Sequence, residues 1–450
     1  MNDWQTVTLE DVTESINTGL DAIRRAPIVE HKTNLRCLRI QDISQNKPFD
    51  KWGYTEVKDS DFKKFQLVPN DIIMARTCST GICYLVKKEL PAVFNNGLAR
   101  IRLKIEKVDP KFIYYVFKSK HFSGYIDGIS GGTSVQLNMK IGDLLKYQFN
   151  LPPLSEQKEI ARILSDLDKK IELNTQINQT LEQIAQALFK SWFIDFDPVR
   201  AKVQALSDGL SLEQAELAAM QAISGKTPEE LTALSQTQPD RYAELAETAK
   251  AFPCEMVEID GIEVPKGWEV TPLSGLFTLI SGTQIPKEEH IYEAKEGYER
   301  FIQNRDYSSN NHITYVEISK KNKRCTEKDI LIDRYGDAGK IRFGISGVYN
   351  IALAKIVLND NNLTEYLRWF LMQPKQKAYF EQASGASTRA SLNTSTFKGI
   401  NVVIPSNFIL NIFSKISNTY LDSLRNLKEE NNTLMKTRDS LLPKLLKQDV

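Results

Sequence analysis

The feature that most constrains the fold of this 450-residue chain is an internal repeat. Short segments of the first half return in the same order about 253 to 264 residues later. Asn70–Arg76 matches Lys328–Arg334, and Leu98–Ile101 matches Leu353–Ile356. Chance similarity would not preserve the order of so many segments. The sequence therefore predicts two copies of one structural unit, related by a pseudo-twofold repeat, rather than a single core.

Each copy begins with a segment that is typical of an α/β domain. Short β-rich runs, such as Asp71–Ala75, are broken by Gly, Pro and Asn. A helical stretch follows, Pro110–Phe122 in the first copy and Leu363–Phe380 in the second. Both copies then pass through a Gly/Ser/Thr-rich loop and a short strand that ends in proline. We therefore expect two small α/β domains of the same design.

Each copy ends in a long helix that carries the seam of a coiled coil. Steps of four and three residues alternate through mainly apolar positions in Ile160–Trp192 and in Phe413–Leu445. An average period of 3.5 favours a coiled coil over an ordinary amphipathic surface helix, and a helix of about 33 residues spans roughly 50 Å. Asn178 and Asn431 occupy the same seam position, where a polar residue can fix the register. Pro443 is expected to end or kink the second helix.

Residues 201–253 match neither copy. Residues 201–250 carry 4 Lys/Arg against 8 Asp/Glu, which disfavours DNA contact and suits a spacer or a partner surface. Ser211 and Thr227 are expected helix N-caps, with Pro228 at the first helical position. The sequence as a whole predicts an α+β protein. Its expected organisation is an α/β domain at 1–153, a helix at 154–200, a polar helical linker at 201–264, an α/β domain at 265–405 and a helix at 406–450.

Composition narrows the class of protein. The chain is 41% hydrophobic and 26% charged, which is ordinary for a globular protein. We see no apolar run long enough for a membrane span and no signal segment, so we expect a cytoplasmic protein that does not bind membranes. The five cysteines form no C-x-x-C pair and the four histidines are scattered, so we expect no metal site and buried, reduced thiols.

Net charge alone does not indicate nucleic-acid binding, because it is only +1. The charge is unevenly distributed, however. Residues 1–150 hold 22 Lys/Arg against 17 Asp/Glu, and residues 265–405 hold 19 against 15. A near-neutral chain can still bind DNA if its basic side chains gather on one face.

The motifs of common enzyme classes are incomplete in this sequence. Ser224–Thr227 resembles the end of a P-loop, but Met220 stands where the first glycine belongs. Pro152 and Pro153 lack the flanking residues of an adenine methyltransferase motif. No G-x-G-x-x-G follows a predicted strand, no G-x-S-x-G is present, and the Glu-x-Lys triplets lack an ordered partner Asp. We therefore expect a protein without catalytic residues.

Several segments together resemble the specificity subunits of type I restriction–modification enzymes. They are Leu151–Ile160, Phe189–Phe196, Pro265–Val270 and Ser440–Leu446, and the likeness covers essentially the whole chain. The second copy departs from the pattern at Pro405–Phe408. The resemblance implies two target recognition domains, each reading one half of a split, asymmetric double-stranded DNA site, held apart by helices that form an antiparallel coiled coil.

The same resemblance implies partners. Two methyltransferase subunits would bind this scaffold, and motor-nuclease subunits would join for restriction. S-adenosylmethionine, ATP and magnesium would belong to those subunits, so no cofactor is expected in this chain. Two other functions stay open: a stand-alone DNA-binding regulator, and a coiled-coil adaptor that never touches DNA. Co-purification with a methyltransferase argues against the first, and salt-dependent DNA binding argues against the second.

The repeat suggests which residues contact DNA. Residues alike in both copies should serve the fold and phosphate contacts, and residues that differ should carry sequence choice. The shared candidates are Arg76 with Arg334, Arg100 with Lys355, and Asn95 with Asn350. A salt bridge to Asp71 or Asp329 is the alternative for the cations, and a turn is the alternative for the asparagines.

Two loops and one basic run complete the set of candidates. The loop residues are Thr133, Ser134 and Gln136 in the first copy, and Ser387, Thr388 and Arg389 in the second. Gln136 suits adenine and Arg389 suits guanine in a major groove, unless both loops are merely solvated. The basic run, with Lys320, Lys321, Lys323 and Arg324, is either a phosphate clamp or a solvated hairpin tip.

Overall fold

The two halves of the chain fold as two units. The computed structural model describes residues 4–129, 139–308, 312–384, 392 and 394–447. The first unit comprises the described residues up to Thr175 together with those from Lys428 onward, and the second runs from Gln176 to Leu427. Each of the two long helices therefore contributes one part to each unit.

The α/β domain of the first unit is built on two four-stranded sheets. Its strands are β1 (Gln5–Thr8), β2 (Thr13–Thr18), β3 (Ile28–Val29), β4 (Leu35–Leu38), β5 (Gly53–Thr55), β6 (Ile72–Ala75), β7 (Cys83–Leu85), β8 (Ala92–Phe94), β9 (Leu98–Leu103) and β10 (Gln148–Leu151). Its helices are α1 (Leu9–Val12), α2 (Ile40–Ser44), α3 (Asp59–Phe65), α4 (Pro110–Phe117), α5 (Lys120–Ile129) and α6 (Ile141–Leu145). The strand orders are β2-β9-β6-β7 and β3-β5-β4-β8, and β1 pairs with β10.

A long helix and a helical linker precede the second α/β domain. They are α7 (Leu154–Phe193), α8 (Asp197–Ser207), α9 (Leu212–Ser224), α10 (Pro228–Thr237), α11 (Pro239–Ala251) and the hairpin of β11 (Met256–Ile259) and β12 (Ile262–Pro265). The domain has β13 (Glu269–Pro272), β14 (Phe277–Ser281), β15 (Tyr298–Ile302), β16 (Thr314–Glu317), β17 (Arg324–Cys325), β18 (Ile330–Asp333), β19 (Ile341–Arg342), β20 (Gly347–Tyr349), β21 (Leu353–Leu358) and β22 (Asn401–Ile404). Its helices are α12 (Thr364–Leu371) and α13 (Pro374–Ser384), and the long α14 (Asn407–Leu445) follows.

The topology confirms the internal repeat. The order β2-β9-β6-β7 recurs as β14-β21-β18-β19, and the pair β1–β10 recurs as β13–β22. In the other four-stranded sheet of each domain, β3-β5-β4-β8 and β16-β15-β20-β17, the parallel pair β4–β8 corresponds to the parallel pair β15–β20. The copies differ in the fourth strand of that sheet, because β3 extends it beyond β5 whereas β17 extends it beyond β20.

The central strand β6 is buried on both faces, which explains its unbroken apolar sequence. Side chains alternate along a strand, so Ile72 and Met74 enter one apolar cluster while Ile73 and Ala75 enter another. In the second domain, β18 divides its side chains between two clusters in the same way. Burial of each large aliphatic side chain contributes about 1.5–3 kcal/mol, so these strands hold the two layers of each domain together.

The helical stretches expected at Pro110–Phe122 and Leu363–Phe380 are each two helices. In the first domain Ser119 separates α4 from α5, and its Oγ accepts a hydrogen bond from Phe122 N–H at 3.1 Å. In the second domain Pro374 begins α13, because proline fits the first helical turn but not a helix interior. The break falls at the same place in both copies.

The linker helices begin where their capping residues predicted. Ser211 caps α9 and Thr227 caps α10, each in a reciprocal capping box. The β11–β12 hairpin turns at Asp260-Gly261, and both residues have positive φ. This hairpin was not predicted from the sequence, although Asp-Gly is a strong hairpin signal.

The alternating steps of four and three give ten seam positions in each long helix. All twenty are buried or half-buried, which confirms the expected seam within each unit. In the first unit Asp168 pairs with Arg438 at 2.8 Å and Asn174 with Asn431 at 3.0 Å, so the two helices run antiparallel. In the second unit Phe189 packs against Phe413.

The ends of the long helices differ from expectation in detail. The first helix begins at Leu154 and stops at Phe193, and Phe196, whose backbone is left-handed with φ 57°, precedes the start of α8. The second helix passes through Pro443 and ends at Leu445.

Asn431, one of the two asparagines expected at the seam, makes its contact across the helix pair with an asparagine that was not predicted to fix the register. Asn431 is joined to Asn174, which is fully buried, rather than to Asn178. Asn431 Nδ2 also donates to Ile171 O and Thr175 Oγ1, both at 3.3 Å. The pairs Asp168–Arg438 and Asn174–Asn431 set the antiparallel register, and in this register Asn174 rather than Asn178 is aligned with Asn431.

Candidate nucleic-acid interface

Several predicted DNA contacts lie where strands of the first domain end. Arg76 follows β6 and Asn95 follows β8. Asn95 N–H donates to Leu38 O at 3.2 Å, because β4 and β8 are parallel and end at the same edge. Arg76 N–H donates to Gly97 O at 2.9 Å. Main-chain hydrogen bonds therefore bring Arg76, Asn95 and the end of β4 to one edge of the domain.

The two shared arginines make the same contact in both domains. Arg76 Nη1 donates to Thr18 Oγ1 at 3.0 Å, and Arg334 Nη1 donates to Ser281 Oγ at 2.7 Å. Thr18 and Ser281 are the last residues of the equivalent strands β2 and β14. The expected alternative of a salt bridge to Asp71 does not hold for Arg76, which has no carboxylate within 4.0 Å in the described part of the chain. A hydroxyl partner positions the Arg76 guanidinium without neutralising its charge.

Arg76 is half-buried, and its Nε atom has no hydrogen-bond partner in the described structure. Asn95 Oδ1 is likewise buried without a partner. Unpaired buried polar atoms are uncommon in folded proteins, and each calls for an explanation such as an absent ligand. These two atoms belong to residues that the sequence predicted to contact DNA.

The asparagines also close tight turns, as the alternative interpretation expected. Asn95 O accepts from Leu98 N–H at 3.0 Å, and Asn350 O accepts from Leu353 N–H at 3.0 Å. A side chain on Gly19 would clash with the carbonyl oxygen of Asn95, and Gly282 stands in the same relation to Asn350. These turns account for the Asn residues structurally, and their contact with DNA stays a prediction.

Arg100 does not face solvent, which corrects its assignment to phosphate. Its side chain is 3% exposed, and its guanidinium donates to Gln66 O at 3.2 Å and Lys64 O at 3.1 Å. Asp71 Oδ2 lies 4.0 Å away. Burial lowers the pKa of Arg100, and the charge of Asp71 opposes that shift. Arg100 therefore acts inside the domain.

Lys355, the counterpart of Arg100, is also engaged inside its domain. Its Nζ donates to Asp329 Oδ2 at 2.8 Å, and both side chains are 23% exposed. Burial would raise the pKa of Asp329, but hydrogen bonds from Lys355 and Thr326 outweigh burial and lower it. The salt-bridge alternative therefore describes Lys355 better than phosphate contact does.

The basic run of the second domain is not a hairpin tip. It connects β16 to β17, which lie at opposite edges of the sheet β16-β15-β20-β17. Arg324 donates twice to the Glu299 carboxylate, at 2.7 and 2.6 Å, so its charge is largely compensated. Lys320, Lys321 and Lys323 are exposed and stay candidates for phosphate contact.

The predicted base-reading loops fall outside the described residues. This applies to Thr133, Ser134, Gln136, Ser387, Thr388 and Arg389. The chain returns from the first loop beside the shared arginine, since Met139 N–H donates to Arg76 O at 2.8 Å.

Each domain has one buried carboxylate that was not predicted from the sequence. Asp42 is 1% exposed and Asp306 is 4% exposed, and each caps the helical turn after a parallel strand. Burial raises the pKa of Asp306, although the Gln303 N–H bond opposes it. The two residues stand 264 positions apart, within the spacing of the repeat, so a closer comparison of the copies would have found them.

The described residues show no other obvious chemical site. Among them no group of three or more His, Cys, Asp or Glu side chains is placed to hold a metal ion. No helix within the described ranges is long and apolar enough to cross a membrane. The five cysteines are free, and the expectation of buried thiols is right for Cys37 and Cys325 but not for Cys78, which is exposed. Burial raises the pKa of Cys37 to about 12.

Paired α/β domains with equivalent cations at their strand ends, joined by long coiled-coil helices, define a class of two-domain recognition proteins. The family model described as the type I restriction modification DNA specificity domain matches residues 1–183 and 265–433. The chain belongs to this family.

Individual relatives agree with that placement. The type I restriction enzyme HindI specificity subunit of Haemophilus influenzae is 39% identical over 471 aligned positions, which cover 100% of both chains. The MjaIX specificity subunit of Methanocaldococcus jannaschii is 26% identical and covers 82% of this chain and 76% of its own. The crystal structure of a type I restriction–modification S subunit from M. genitalium superposes with a TM-score of 0.54 at 17% identity, covering 99% of this chain and 96% of that one, which shows a shared fold.

Proposed function

We propose that this chain is the sequence-specific DNA-binding subunit of a type I restriction–modification enzyme. Each α/β domain reads one half of a split, asymmetric site in double-stranded DNA. The observation that carries the proposal is the recurrence of the Arg76–Thr18 contact as Arg334–Ser281. Two equivalent cations make the same type of contact at a strand end, which suits them to the sugar–phosphate backbone that every DNA site shares, while the loops beside them differ in sequence.

The chain itself performs no catalysis in this proposal. Two methyltransferase subunits bind it, one per repeat, and motor-nuclease subunits join for restriction. S-adenosylmethionine, ATP and magnesium belong to those subunits, and the assembly works in the cytoplasm. Support comes from the family, whose relatives are named as specificity subunits of restriction enzymes.

The long helices act as a spacer between the half-sites. Two domains that read one face of B-DNA have half-site centres about 34–36 Å apart. A helix of 40 residues is about 60 Å long at 1.5 Å per residue, which is long enough for that separation. The fixed antiparallel register then determines the number of base pairs between the half-sites.

DNA binding at the proposed edge can be tested through Cys78, which is exposed two residues after Arg76. Alkylation of Cys78 should slow when the complex binds DNA containing its methylation site, whereas alkylation of half-buried Cys254 should not change. Equal rates with and without DNA would contradict the proposed edge. If the chain binds DNA without any effect on DNA methylation, a stand-alone DNA-binding regulator is favoured. If the chain does not bind DNA, a coiled-coil adaptor is favoured.

A further inference from the structure

A single helical turn follows β4 in the first domain and its counterpart β15 in the second. In the first domain it is α2, and in the second it is the 3₁₀ turn Asn304–Tyr307. A buried carboxylate pins each turn. Asp42 Oδ2 accepts from Arg39 N–H at 3.1 Å, and Asp306 Oδ2 accepts from Gln303 N–H at 2.8 Å. The residue directly before each buried aspartate therefore projects from a fixed backbone, as a specific contact requires.

Each pinned turn borders the residue that follows a shared arginine. A Cβ on Gly97 would come within 2.8 Å of Ile40 Cδ1 and 3.4 Å of Thr77 Oγ1, so α2 and Thr77 both lie next to Gly97. In the second domain Asn304 Nδ2 donates to Tyr335 O at 3.4 Å. The turns therefore belong to the same edge of each domain as the cations assigned to phosphate.

The exposed side chains on these turns differ between the copies. Gln41 stands directly before Asp42, and Arg305 stands directly before Asp306. Both are exposed, Arg305 with 53% of its side chain. With its amide turned toward Arg39, the Gln41 side-chain oxygen accepts from Nη2 at 2.8 Å and from Nη1 at 3.2 Å, and the amide hydrogens stay available to a ligand. Arg305 Nη2 donates to Thr314 Oγ1 at 3.3 Å, which limits its motion.

We propose that Gln41 and Arg305 are base-reading residues, Gln41 for an adenine in one half-site and Arg305 for a guanine in the other. The inference rests on the proposed function of the chain in DNA recognition. A glutamine amide matches the donor and acceptor of adenine N6 and N7, and a guanidinium matches guanine O6 and N7. The aspartates that hold the turns are shared and the exposed residues are not, so one scaffold presents a different reader in each half.

The test maps methylation of a random-sequence double-stranded DNA library by the full chain in complex with its methyltransferase subunits. Gln41→Ala should reduce the preference for adenine at one position of one half-site by about 5- to 150-fold. Arg305→Lys, which retains the charge but not the bidentate geometry, should do the same for a guanine in the other half-site. Two control variants should leave the motif unchanged. They are Gln45→Ala, which replaces an exposed glutamine at the end of α2, and Lys266→Ala, which replaces a surface cation paired with Glu255.

The outcomes separate the inference from the function on which it rests. If the unmodified complex methylates no split motif, the proposed function is wrong. If it does, and Gln41→Ala and Arg305→Lys leave every position unchanged, the inference alone is overturned. It is also overturned if either variant relaxes a base of another kind or alters both half-sites. Thermal unfolding of each variant shows whether it is folded, and Gln41→Glu provides a second variant of the same size that should likewise relax adenine.

Discussion

At the scale of single residues, the four cations that the repeat matches in two pairs lie in two different environments. Arg76 and Arg334 bond to hydroxyls at strand ends, whereas Arg100 and Lys355 are engaged inside their domains by carbonyl oxygens or by Asp329. Sequence comparison identified all four as shared but could not separate them. Whether a cation faces solvent depends on packing between segments that are distant in the chain, such as Gln66 and Arg100.

Replacing Arg100 by Met should affect stability rather than DNA binding. The substitution leaves Asp71 and two carbonyl oxygens with fewer buried partners, so the free energy of unfolding should fall by about 3 kcal/mol. The slope of log affinity against log salt should not change. Arg76→Met is the matched comparison. It should lower the magnitude of that slope by about one, because one phosphate contact is lost, and it should change the free energy of unfolding less. A lower slope with unchanged stability for Arg100→Met would restore its assignment to phosphate.

The Lys355–Asp329 pair predicts a pH dependence of stability. The pKa of Asp329 is below its ordinary value, so this carboxyl stabilises the fold above its unfolded pKa of about 3.9 and loses that contribution as pH falls through its folded pKa. Lys355→Met should cost about 1–2 kcal/mol at neutral pH and make the loss of stability in acid shallower. Urea unfolding at neutral and acidic pH measures both effects.

A surface pair provides the control for this measurement. Lys340 lies 2.9 Å from Asp337, with both side chains more than 40% exposed, so Lys340→Met should change stability little. Equal effects of Lys340→Met and Lys355→Met would contradict the structural role of Lys355.

At the scale of elements, the helices were more predictable than the small sheets. A seam of period 3.5 identifies a long helix because the signal accumulates over many residues. The two-residue strands β3 and β17 carry no comparable pattern, so the sequence could not show that the copies differ there. The pairing of Asn431 with Asn174 was also beyond sequence, because it depends on how the two helices are aligned in space.

The asparagine pair should determine the helix register. Asn174→Leu removes the buried hydrogen bond that Asn174 Nδ2 donates to Asn431 Oδ1 and should cost about 1–3 kcal/mol. Replacing both residues by Leu should recover stability while permitting other registers, as polar seam residues do in coiled coils. Asn178→Leu is the control and should cost less, because Asn174 Nδ2 donates to Glu430 and Asn431 whereas the Asn178 side chain has no such bond to α14 among the described residues. Chemical denaturation measures the stabilities. An Asn178→Leu effect as large as that of Asn174→Leu would contradict this account.

At the scale of the whole molecule, the repeat was the most informative part of the sequence. It predicted two α/β domains, two long helices and a linker that matches neither copy, and the strand order β2-β9-β6-β7 recurs in the second domain as β14-β21-β18-β19. What sequence could not show is how the helices are divided. Each contributes to the cores of both units, so the unit boundaries fall inside the helices at Thr175 and Leu427.

The central claim is that the domains select bases and the helices select the spacing. Inserting one heptad after Asn178 in α7 and one after Leu427 in α14 preserves the seam and lengthens the pair by about 10 Å, or about three base pairs. Methylation mapping on random-sequence DNA should then show both original half-sites with a longer spacer, or no methylation. Exchange of residues 1–153 for another recognition domain should change one half-site only. A heptad insertion that altered base identity, or an exchange that altered both half-sites, would contradict the account.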